Sequence, residues 1–149
     1  MALLISRRIM VLAIGLSGLL AAHASAEPKT MTILLSGADE VPPVQTAGKG
    51  TAVLSYDPAT RALSWTLEFS DLTGPATMAH FHGPAAAGKN APVALWMVKK
   101  GEAPVSPAKG DAVLTEDQAK AFTGGEWYVN IHTPNNPSGE IRGLIPPTP

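Results

Sequence analysis

Histidine is the side chain whose type and spacing first suggest chemistry. The chain has four: His23 in an N-terminal apolar segment, and His80, His82 and His132 in segments of strand character. In Ala79-His80-Phe81-His82 the imidazoles are one residue apart, so on a strand both project from one face and Phe81 turns to the other. In Trp127-Tyr128-Val129-Asn130-Ile131-His132 the apolar Trp127, Val129 and Ile131 take the core face, which turns Tyr128, Asn130 and His132 the opposite way. If these two strands are neighbours, three imidazoles meet. Neutral imidazole nitrogens bind copper or zinc at about 2.0–2.1 Å. With no cysteine to supply a thiolate, copper is the expected ion, ahead of zinc. A second reading stays open: strand histidines that only hydrogen-bond to backbone carbonyls.

Three further side chains lie close in sequence to this set. Met78 shares the face of His80 and His82, either as a soft thioether ligand or as a core filler. Glu140 and Arg142 alternate to one face of the last apolar segment, where they read as a solvated ion pair or, for Arg142, as a cation that guides an anion. Gly-x-Ser-x-Gly, phosphate-loop and His-Glu-x-x-His motifs are all missing, which removes the usual anchors of hydrolase and nucleotide chemistry.

The elements that must position these groups are short strands. Period-two alternation is clearest over residues 63–69, and residues 51–56 form a hairpin with it through Asp57-Pro58-Ala59-Thr60. Residues 31–35, 78–82, 93–98, 127–132 and 140–145 complete about seven strands. One helix of at most two turns starts at Thr115, with Gln118 completing a capping box and Gly124 ending it in a left-handed conformation. The expected fold is all-β, an antiparallel Greek-key β-sandwich with one short helix.

Charge and termini bound the partners. A net charge of −1 with scattered Lys and Arg argues against a nucleic-acid surface, which leaves a metal ion or small molecule as the partner class. Arg7 and Arg8, an apolar run over residues 9–22 and Ala24-Ser25-Ala26 read as a signal peptide, residues 1–26, cleaved before Glu27. Cleavage leaves a single domain, residues 27–149, with no membrane span, in the periplasm or secreted. It also reduces the histidines to three.

Several ordered motifs resemble the CHRD domain, the domain named from chordin that also occurs alone in bacterial exported proteins. They are Glu40-Val41-Pro42-Pro43-Val44, Leu72-Thr73-Gly74, Ala79-His80-Phe81-His82-Gly83-Pro84-Ala85, Leu114-Thr115, Tyr128 to Thr133, and Asn136-Pro137-Ser138-Gly139-Glu140-Ile141-Arg142-Gly143. The order of these histidine strands and of the final Arg-Gly is also similar to copper-zinc superoxide dismutases. That resemblance implies His80, His82 and His132 as copper ligands and Arg142 as the catalytic residue that steers superoxide, with Met78 or Glu140 as additional ligands to Cu(II). No histidine occurs in residues 83–92, so the bridging and zinc ligands of those enzymes have no counterpart. Three functions follow as expectations: a copper-only superoxide dismutase, a copper carrier or buffer without turnover, and a metal-free extracellular interaction module.

Overall fold

Alternating burial organises the first half of the molecule. The computed structural model describes residues 27–148; the expected signal peptide, with His23, lies outside the described residues. Strands β1 (Lys29–Ser36), β2 (Lys49–Asp57) and β3 (Ala62–Ser70) form an antiparallel meander. Leu63, Trp65 and Leu67 point inward while Ser64 and Glu68 are exposed, as the strand period requires. Asp57 makes the β2–β3 turn: its carboxylate accepts hydrogen bonds from the Ala59 N–H at 2.8 Å and the Thr60 hydroxyl at 2.7 Å.

The second half supplies β4 (Met78–His82), β5 (Val93–Trp96), β6 (Ala108–Val113), helix α1 (Glu116–Thr123), β7 (Tyr128–His132) and β8 (Ile141–Leu144). The strands form one antiparallel sheet in the order β5-β4-β7-β8-β1-β2-β3-β6. A single residue pair, Ser36 with Arg142, joins β1 to β8 at its middle. There the sheet folds over, so that Trp65 of β3 meets Phe81 of β4 edge-on, with ring centroids 5.2 Å apart. The result is the expected all-β, sandwich-like fold, with a core of Leu54, Leu63, Leu67, Phe81, Val129, Ile131 and Ile141 between the layers. The strand returning beside β1 is β8, where a simple four-strand Greek key would place β4.

Two local expectations change. Strand β6 carries no alternation of large apolar residues, because it packs through small ones: Trp65 lies across from Gly110 and occupies the space a Cβ would fill. Helix α1 has the expected capping box, Thr115 accepting from the Gln118 N–H and Gln118 from the Thr115 N–H. Gly124, however, is right-handed, and Gly125 takes the left-handed conformation at φ +75°. The helix places Phe122 against Tyr56 and Trp127, closing one end of the core.

Leu67 is fully buried between the layers. Leu67→Ala is expected to cost about 2–5 kcal/mol in a urea titration, the range for a large-to-small change in a packed core.

Candidate metal centre

Strands β4 and β7 are neighbours, in the register Met78 with His132, His80 with Asn130, and His82 with Tyr128. All six side chains therefore share one face, and the three histidines meet. One ligand nitrogen from each lies within 4.8 Å of the others. This face was read as the one turned away from the core, and so it is, yet it is not open. His80, His82 and His132 are 3%, 8% and 6% exposed, because the loops over residues 83–92 and 133–139 fold back across them.

Those loops also orient the rings. His82 Nδ1–H donates to the Ala91 carbonyl at 2.9 Å, and His132 Nδ1–H donates to the Pro137 carbonyl at 3.0 Å. Each bond assigns the proton to Nδ1 and leaves Nε2 as a bare lone pair. His80 Nδ1 lies 3.1 Å from His132 Nε2, which must be the acceptor. The Nε2 atoms of His80 and His82 are buried and have no hydrogen-bond partner. Burial, followed by the charges of His132 and His82, pushes His80 down to about 4. Burial likewise lowers His82 and His132, so the centre consists of neutral imidazoles at pH 7.

Aromatic rings wall the centre. Trp96 stands edge-on to His80 at 4.3 Å, and Tyr128 stacks on His82 at 4.9 Å, with their planes 4° apart. On Tyr128 in turn sits the Arg142 guanidinium, its Cζ 3.4 Å from the ring centroid.

The other expected site residues fall elsewhere. Met78 is half-buried, directly across from His132 in the sheet. Glu140 and Arg142 do not form a solvated pair: both are completely buried, and they do not bond to each other. Glu140 Oε1 accepts from the Thr46 hydroxyl and the Thr73 N–H, and Oε2 from Thr73 Oγ1, Thr133 Oγ1 and Asn136 Nδ2, at 2.6–3.2 Å. Burial would raise its pKa, but these donors outweigh it and hold the group at about 2. A carboxylate so engaged has no oxygen to lend a metal. Arg142 spends its guanidinium on Asn90 Oδ1 at 3.0 Å and the Lys89 carbonyl at 2.7 Å, with no exposed surface from which to steer an anion.

Sequence reasoning passed over Glu40. It is 5% exposed and raised to about 7 by burial, against the opposing charge of Arg142 and a hydrogen bond from Asn130. Gly139, at φ +131°, leaves the space that its carboxylate fills. The one signal for it was its place in Glu40-Val41-Pro42-Pro43-Val44.

No helix among the described residues is long and apolar enough to cross a membrane. No curated protein and no solved structure matches, so the likeness to dismutases, drawn from the order of the histidine strands and the final Arg-Gly, gains no support. Residues 31–145, spanning every strand that builds the centre and both loops that cover it, match the family model of the CHRD domain, and the chain belongs to that family.

Proposed function

We propose that His80, His82 and His132 hold one copper ion, and that the protein is an exported copper carrier or buffer of the periplasm or extracellular space. One observation carries this reading: backbone carbonyls fix the tautomers of His82 and His132, while buried Nε2 atoms of His80 and His82 are left without partners. A buried polar atom with no partner costs about 1–3 kcal/mol, which a metal–nitrogen bond would remove. Three imidazole nitrogens suit copper or zinc, and of the two divalent ions such a site holds copper the more tightly. Bound there, copper would supply one-electron chemistry between Cu(II) and Cu(I).

The same geometry supports holding the ion over turning over superoxide. The ligands are at most 8% exposed, and Arg142 faces a ring and a loop. Elemental analysis of protein taken from the exporting cell, without chelator or nickel resin, is expected to show one copper per chain. Zinc, or no metal after copper supplementation, overturns the reading. Superoxide decay with the copper-loaded protein is expected to be no faster than the chelated background; a faster rate would restore the dismutase. The interaction-module reading requires apo and copper-loaded protein to melt alike, whereas copper at about 100 times its dissociation constant should add about 2.7 kcal/mol.

A further inference from the structure

Arg142 is the largest charged side chain in the interior, and the histidine motif does not account for it. Its contacts form a closed circuit around His82. One guanidinium face lies on Tyr128, and Tyr128 stacks in parallel on the His82 ring. Its Nη2 and Nη1 donate to the Lys89 carbonyl and to Asn90 Oδ1, while Asn90 Nδ2 donates to the Val41 carbonyl at 2.9 Å. The next residue, Ala91, donates its N–H to the Tyr128 hydroxyl at 3.1 Å and accepts the His82 Nδ1–H at its carbonyl. The guanidinium thus reaches His82 by two routes, through the plane of the ring and through the carbonyl that takes its proton.

We infer that Arg142 is a positioning residue for the histidine centre: by pinning residues 89–91 and bracing Tyr128, it fixes the tautomer and ring plane of His82. A planar fork is needed for this. Two parallel N–H directions must meet a backbone carbonyl and an amide oxygen while the flat face stays on Tyr128, and a lysine ammonium provides neither the fork nor the face. The role differs from anion steering, which would need the guanidinium exposed. The consequence for copper rests on the metal reading above, whereas the tautomer does not.

The two are separated by measuring metal-free protein first. Ring-nitrogen NMR of ¹⁵N-histidine-labelled protein is expected to show His82 as a single Nδ1–H tautomer, and Arg142→Lys to populate the Nε2–H form as well. Asn90→Ala, on the exposed loop, should move the tautomer the same way by less, and carries the test if Arg142→Lys does not fold. Leu67→Ala, which destabilises the fold without touching the circuit, should leave the His82 signals unchanged. In copper titrations Arg142→Lys is expected to lose about 10- to 100-fold in affinity, the range for groups that orient a ligand. A single unaltered tautomer in Arg142→Lys, or in Asn90→Ala where only that variant folds, overturns the proposal. Failure of the wild type to bind copper would overturn the metal reading while leaving the tautomer result to decide this one.

Discussion

His132→Ala is expected to abolish tight copper binding, lowering affinity by more than the roughly 100-fold that marks the upper range for loss of an orienting group. His132 makes two contributions that no neighbour can replace. Its Nε2 lies 3.1 Å from His80, and its Nδ1–H is anchored on the Pro137 carbonyl, which aims that lone pair. Removing the ring leaves His80 and His82 on one strand, with no third nitrogen from β7. Competition against a chromophoric chelator checks the affinity. Far-UV circular dichroism should stay unchanged, because the ring lies on the face away from the core. Retention of wild-type affinity would show that the three imidazoles do not act together.

Glu140→Gln is expected to lower stability by about 3 kcal/mol at pH 7, or roughly 10–15 °C in melting temperature. The carboxylate gathers hydroxyls and N–H groups from three separate loops, and an amide offers one acceptor oxygen where these donors need two. The sign of the pH dependence follows from the same bonds. Native Glu140 is held at about 2 against an ordinary 4.5, so between these values the unfolded chain binds more protons than the folded one. Its stabilisation is complete above about pH 4.5 and is lost as pH falls toward 2. Urea titrations should therefore show wild type and Glu140→Gln converging as pH falls toward 2, separating between about pH 2 and 4.5, and keeping the full gap above it. A constant gap across that range would mean that Glu140 packs but does not act as a charge.

What could be read in advance separates along physical lines. His80, His82 and His132 were legible because strand periodicity fixes which side chains share a face, and one pairing, β4 with β7, was enough to bring them together. Leu63, Trp65 and Leu67 were legible for the same reason. Glu140 was misassigned because its partners are 94, 67 and 7 residues away, in loops where no period operates. The scattered family motifs nevertheless converge there: Thr73, Thr133 and Asn136 are three of the four residues that bind it, the fourth being Thr46. Arg142 was misread because a polar side chain on a strand face suggests solvent, and the alternation does not report that loops roof the face. Strand β6 escaped notice because the large member of its packing pair, Trp65, sits on the neighbouring strand.

That roof has a kinetic meaning as well as a geometric one. With the three imidazoles almost sealed from solvent, a copper ion held there would be out of reach of a competing chelator at the surface. Its departure would be timed by how often the covering loops lift, so the release rate should level off as chelator concentration rises. The same cover that slows loss would let a carrier cross a compartment crowded with competing ligands and still arrive loaded.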